Sequence, residues 1–235
     1  ELRDGGDKFM GKHVTKAVEN VNRIIAKELI GMDVIGQNLI DKKMLELDGT
    51  ENKSRLGANA ILSVSLAVAK LSAKLRNIPL YRHIYEMSYN KTNENYLLPI
   101  PNCNILNGGE HAGNDLSIQE FMILPLGADS FSTAIRWVSE VYHQLKKILL
   151  KNYGPQAINV GDEGGFAPNL SLTRDALDVI IQAIEERGFT MGKEFILGID
   201  AAASEFYKDG KYDIDGRKLT EDELLQYYLE LIKDY

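Results

Sequence analysis

Asp162 and Glu163 stand side by side in Asn159-Val-Gly-Asp-Glu-Gly-Gly-Phe-Ala-Pro168, framed by Gly161 and by Gly164 and Gly165. Adjacent carboxylates are candidates for acid–base or metal chemistry. Glycines beside them allow backbone angles closed to other residues and let a ligand approach closely. The stretch lies in a connection of about seventeen residues, 154–170, with no helical or strand period. A bare loop of that length inside a compact domain is usually functional or disordered. An acidic surface turn is the alternative, at even weight from this feature alone.

Three more polar groups fall at the ends of apolar runs. Residues 102–106 read as a buried strand that runs into Asn107-Gly-Gly-Glu-His-Ala-Gly-Asn114. Gln119 and Glu120 interrupt a second apolar run, 118–124, and Asp200 closes a third, 195–199. In barrels and open α/β sheets the active site lies at the carboxyl ends of the strands, so carboxylates, an imidazole and an amide would converge there. Each has a bland alternative. Asp200 could cap the turn after its strand, and Asp162 could cap its own loop. His111 could be an ordinary loop histidine, and Glu120 a paired structural carboxylate. Cys103 reads as a small core residue. There is no Gly-Lys-Ser/Thr phosphate loop, no His-Glu-x-x-His, no cysteine cluster for zinc and no dinucleotide fingerprint.

The elements that must hold these residues are readable from periodicity. Apolar positions from Val14 to Leu29 repeat at three and four residues, predicting a helix over 11–30. Further helices are expected at 38–47, closed by Asp48-Gly49, at 54–76, and after Pro79, which is expected in a first helical turn. The polar stretch 89–95 marks a boundary between a helical region, 1–92, and a region with strands, 93–235. The second region reads strand, strand, helix (129–150), helix (173–187, stopped by Gly188), strand, hairpin around Asp209-Gly210, helix. Thr220 and Glu223 form a capping box for that last helix. Buried strands separated by amphipathic helices predict an α/β architecture with a mainly parallel sheet.

Composition narrows the class. Hydrophobic content of 44%, with 26% charged residues, belongs to a globular chain with ample core. The net charge of −7 disfavours nucleic acid as the main partner, since phosphate backbones need a basic face. An acidic protein can still take an anionic small molecule when metal ions neutralise local charge. One cysteine permits no internal disulfide and points to a reducing compartment, the cytoplasm. No apolar run reaches the ~20 residues of a membrane span, and no signal-peptide pattern appears. The chain starts without methionine and stops straight after a helical pattern, as a piece of something longer would.

Four motifs in order resemble the enolase family: Ser54-x-Leu-Gly-Ala-Asn-Ala-Ile-Leu62, Asn107-Gly-Gly-Glu-His-Ala-Gly113, Gln119-Glu-Phe-Met122 and Val160-Gly-Asp-Glu-Gly-Gly-Phe-Ala-Pro-Asn169, with Ala203-Ser-Glu-Phe-Tyr207 following Asp200. The resemblance implies the helical part of an α+β N-terminal domain, followed by the first part of a TIM-like barrel that begins strand-strand-helix-helix. It implies reversible dehydration of 2-phosphoglycerate to phosphoenolpyruvate with Mg²⁺, two ions in the complete enzyme, and a homodimer. By motif, Glu163 resembles the general acid on the departing hydroxyl and Glu120 its carboxylate neighbour. Gln119 resembles a substrate-contacting amide, His111 the mobile-loop histidine, and Asp200 one Mg²⁺ ligand. A carboxylate pair such as Glu120 and Glu163 can share one proton, because like charges raise one pKa. The lysine base and the other metal carboxylates of the family lie beyond residue 235, so the chain alone is expected to be inactive. Three strands cannot close a barrel, and their open edge would invite aggregation. A non-catalytic binding or structural role is the competing reading from another class.

Overall fold

The computed structural model describes residues 1–93, 95–109 and 112–235. They form two compact units, Glu1–Tyr96 and Leu97–Tyr235.

The first unit is helical. α1 (Thr15–Asn20) passes through a π turn (Val21–Ile25) into α2 (Ala26–Leu29), so the expected helix is present with one widened turn. α3 (Gln37–Asp48), α4 (Ala58–Leu75) and α5 (Leu80–Tyr89) follow. Pro79 sits one place before the last of these, as its N-cap with extended backbone, rather than inside the first turn. Their shared core is Ala17, Ile25, Ile40, Met44, Leu56, Ala60 and Ile61. Among the described residues α4 alone is long and apolar enough to cross a membrane by length and composition. It carries Lys70 and Lys74, and it buries Ala60, Ile61, Ala69, Ser72 and Ala73, as the core helix of a bundle does. Asn59 of the 54–62 motif pins the start of the chain. It accepts from the Leu2 amide and donates to the Leu2 carbonyl, both at 3.1 Å.

The second unit is built on a three-stranded sheet in the order β1 (Cys103–Asn107), β2 (Glu120–Leu124), β3 (Ile196–Asp200). Both pairings are antiparallel, against the expectation of a mainly parallel sheet. The element order explains the reversal. The connection between β1 and β2 holds no crossover helix, so β2 returns beside β1. Between β2 and β3 stand two packed helices, α6 (Phe131–Tyr153) and α7 (Thr173–Glu186). Each helix turns the chain round once, so β3 runs against β2 and with β1.

One face of the sheet is sealed. Phe121 and Ile123 pack with Val141, Leu145 and Leu149 of α6 and Ile180 and Ile184 of α7. A second small sheet, β4 (Tyr207–Lys208), β5 (Lys211–Ile214) and β6 (Arg217–Leu219), precedes α8 (Glu221–Asp234). Its first turn is the expected Asp209-Gly210, both at positive φ. Its second, Asp215-Gly216, and the strand β6 were not foreseen from the sequence. The capping box of Thr220 and Glu223 is formed in full. Gly188, at φ +82°, ends α7 as expected.

Candidate functional site

The unsealed face of the sheet carries the site. Cross-strand partners point to the same face, and the register aligns Asn107 with Glu120 and Glu120 with Asp200. One row therefore runs amide, carboxylate, carboxylate across β1, β2 and β3. The row two residues away aligns Asn104 with Met122 and Met122 with Gly198. In a regular strand Asn104 and Asn107 would point to opposite faces. The register slips between Asn104 and Leu106, so Ile105 is an extra residue and both asparagines face the Glu120 side. Bulges of this kind re-aim side chains and are common beside active sites.

The glycine-flanked loop is strapped onto β1. The Phe166 amide donates to the Ile105 carbonyl at 3.0 Å, and the Asn107 amide to the Phe166 carbonyl at 2.8 Å. Phe166 stacks on Tyr142 of α6 with ring centroids 4.3 Å apart, and the Tyr142 hydroxyl donates to the Gly164 carbonyl at 2.8 Å. Burial raises the proton affinity of that hydroxyl, so it stays a donor. Within the loop the Gly161 amide donates to Gly165 at 2.8 Å, and the Gly164 amide donates to Gly161 at 3.0 Å. Gly165 must be glycine for space. A Cβ there would collide with Asn107 Oδ1 and come within 3.0 Å of the Leu106 nitrogen.

This frame delivers Glu163 to the polar face. It is exposed, and its Oε2 accepts from Asn104 Nδ2 at 2.8 Å across 59 residues of sequence. Asp162 has no comparable tie among the described residues. It is exposed, and its carboxylate accepts no hydrogen bond from its own loop among the described residues. Self-capping by Asp162 is therefore not what holds the loop; backbone bonds are.

Gln119 and Glu120 are half-buried at the start of β2. Gly108 and Gly109 bring the preceding turn close, the Gly108 amide donating to the Gln119 carbonyl at 2.9 Å and the Gly109 amide to Leu116 at 2.7 Å. Asp200 is exposed at the end of β3, and its Oδ1 accepts from the Ala202 amide at 3.0 Å. The turn-capping alternative is thus realised, and a carboxylate with about four lone-pair sites keeps capacity for another partner. His111 lies outside the described residues.

Sequence reasoning missed three residues. Asn114 ties the end of β1 to the end of the loop, donating to the Asn107 carbonyl at 3.0 Å and to Pro168 at 2.8 Å. Asn107 is fully buried, with both side-chain polar atoms lacking a partner among the described residues. Asn104 holds Glu163. The available signal was two asparagines, Asn102 and Asn104, inside the stretch 102–106 read as a buried strand, and Asn107 directly after it. Asparagine is poorly suited to strand interiors unless it has a partner.

The donor chemistry suits a hard cation in part. Asp200 and Glu120 supply carboxylate oxygens of the kind Mg²⁺ takes. Among the described residues no group of three or more His, Cys, Asp or Glu converges, so they offer part of a ligand set.

Comparison with known proteins follows the two units. Residues 95–235 match the family described as "Enolase, C-terminal TIM barrel domain", and residues 1–84 match "Enolase, N-terminal domain". A protein named Enolase from Thermococcus kodakarensis is 57% identical over 237 residues, covering all of this chain and 54% of the relative. Those of Pyrococcus furiosus and Methanothrix thermoacetophila are 55% and 57% identical with the same coverage. The chain thus spans about half the length of the curated relatives it matches. Two family matches in the right order and more than half of all residues shared lead to one conclusion: the chain belongs to the enolase family.

Proposed function

We propose that this chain supplies the acid side of an enolase active site, which dehydrates 2-phosphoglycerate to phosphoenolpyruvate and runs the reverse hydration. The observation that carries the reading is the row Asn107–Glu120–Asp200 across the strand ends, with Glu163 strapped to the same strand. Hydroxide is a poor leaving group and needs a positioned acid. Glu163, on a glycine-framed loop, serves as that acid. Glu120 stands on the same polar face and shares the proton with it, and Gln119 contacts the substrate. His111, by resemblance to the family, contacts the substrate.

Mg²⁺, when bound, would stabilise the extra negative charge placed on the substrate carboxylate once its neighbouring carbon is deprotonated. Asp200 would hold it, with the remaining ligands drawn from outside the described residues. Among the described residues no base for the carbon-bound proton stands at this face, and the family's lysine base is expected beyond residue 235, so the chain by itself is expected not to turn over. A cytoplasmic setting is supported by the single cysteine, and a homodimer by family resemblance alone.

The test compares two proteins. One is the chain as it stands; the other is a hybrid joining it to the remaining part of the Thermococcus kodakarensis relative. With Mg²⁺ and 2-phosphoglycerate, the hybrid is expected to form phosphoenolpyruvate and the chain alone none. A folded hybrid without turnover would overturn the reading. Turnover by the chain alone would show that the base lies within it.

A further inference from the structure

We propose that Asn104 is a positioning residue for Glu163, fixing one carboxylate oxygen so that the other presents the proton to the departing hydroxyl. This rests on the reading of Glu163 as the acid.

Three observations carry it. First, the hydrogen bond from Asn104 Nδ2 to Glu163 Oε2, at 2.8 Å, joins a strand to a loop 59 residues later. Its direction is fixed by chemistry, since an ionised carboxylate only accepts and the amide nitrogen only donates. Secondly, Asn104 pairs with Met122 on the Glu120 face, and the bulge at Ile105 brings Asn107 onto that same face. A bulge gives up local pairing, and here it leaves two asparagines on the face that carries Glu120. Thirdly, Asn104 Oδ1 is buried without a partner among the described residues. Burying an oxygen without a partner is costly, and an apolar side chain opposite Met122 would avoid it. Among the described residues the side-chain hydrogen bond of the Asn104 amide goes to Glu163.

The step balances within the proposed reaction. The electron pair of the breaking C–O bond leaves with oxygen, which takes the Glu163 proton and departs as water. Glu163 is left as a carboxylate. The Asn104 N–H favours that charged product, because hydrogen bonds to an ionised group stabilise it. It also fixes the Oε2 end of the carboxylate, and misplacement of such a group by ~1 Å can cost on the order of 100-fold in rate.

The experiment uses the hybrid enzyme with Asn104→Ala, Asn104→Asp and Glu163→Gln. Dehydration is measured beside deuterium exchange at the acidic carbon of 2-phosphoglycerate. Asn104→Ala and Asn104→Asp should each slow dehydration by roughly 10- to 100-fold, while KM and carbon–hydrogen exchange stay within about twofold of the parent hybrid, because the chemistry of the base is untouched. Aspartate keeps the volume and loses the donor, so it separates a hydrogen bond from mere packing. An Asn104→Asp hybrid as active as its parent would overturn the proposal. So would a parallel fall of exchange and dehydration, the mark of a disturbed fold. The underlying reading fails separately, if Glu163→Gln loses exchange together with turnover.

Discussion

Asp48-Gly49 and Glu163-Gly164 are the same phrase in the sequence, an acid followed by a glycine at positive φ (+69° and +86°). They do opposite things. Asp48 is 2% exposed. Its carboxylate accepts from the Thr50 amide at 3.1 Å, the Leu56 amide at 2.6 Å and the Thr50 hydroxyl. Every one of those donors lies within eight residues. Glu163 is exposed and is held by Asn104, from a strand 59 residues away. An acid that serves the fold is wrapped by the backbone of its own turn. The one proposed for chemistry is carried on a loop tied down elsewhere, with its carboxylate reached from another element. The loop's own amides, at Gly161 and Gly164, are spent on Gly165 and Gly161 carbonyls rather than on the acid.

The largest expected effects test whether this division is real. In the hybrid enzyme Glu163→Gln should lower dehydration by about 100- to 10,000-fold, the usual span for a general acid, with thermal unfolding unchanged. Asp48→Ala should do the reverse. Leaving the Leu56 and Thr50 donors buried without their acceptor should cost about 3 kcal/mol of stability, read by denaturant titration, while kcat per folded molecule holds. If Glu163→Gln destabilises as much as Asp48→Ala, the two acids are not different in kind.

Much of the scaffold behind this contrast was legible. Helical periods, the Thr220–Glu223 capping box, the Asp209-Gly210 turn and the strand-strand-helix-helix order are local patterns, and local patterns are what a sequence displays. Strand direction was misread, although the two helices between the second and third strands already implied a reversal. The bulge at Ile105 was invisible, because an extra residue in an apolar strand leaves no mark in composition. With it went Asn104 and Asn107, whose shared facing depends on that slip. The second acid–glycine turn shows the same limit. Asp215 accepts from the Thr173 amide and hydroxyl at 2.9 Å and from Tyr227 at 2.5 Å. It thereby ties the β5–β6 turn to α7 and α8. Burial first, then this hydrogen bond, keeps the Tyr227 hydroxyl protonated far above the ordinary tyrosine range. Nothing within a few residues of Asp215 announces partners 42 residues earlier.

A smaller effect sharpens how the loop is held. Gly165→Ala adds one methyl where Asn107 Oδ1 and the Leu106 nitrogen already stand. Overpacking of that kind costs about 1–3 kcal/mol, and here it should also lift the loop from β1 and weaken the Asn104–Glu163 contact. Gly164→Ala meets no neighbour, so its cost comes from the positive φ alone, roughly 1 kcal/mol. Slower dehydration in Gly165→Ala with exchange preserved would tie the close approach to the acid. An equal response from both alanine variants would mean that loop rigidity alone matters.

The smallest effect is a pH dependence to which the buried acid contributes. Burial pushes the Asp48 carboxyl up, but the Thr50 hydroxyl, the Leu56 and Thr50 amides and Arg55 outweigh it and hold it below the usual carboxylate range. Its folded-state affinity for a proton is thus lower than in the unfolded chain. The stability it contributes is present above about pH 3.9, the unfolded value, and is lost as pH falls through the lower folded value. A second, separate window opens higher. His83 is buried, and burial followed by the neighbouring Arg76 lowers its proton affinity, so the unfolded chain gains protons first as pH drops below about 6.5. Denaturant titrations from pH 7 to pH 3 should therefore show an upper decline that His83→Gln reduces and a lower one that Asp48→Ala reduces, the lowered carboxyls of Asp4, Glu86, Glu194 and Glu223 carrying the rest. A lower decline that Asp48→Ala leaves untouched would show that its wrapped carboxylate does not serve the fold, and would end the contrast.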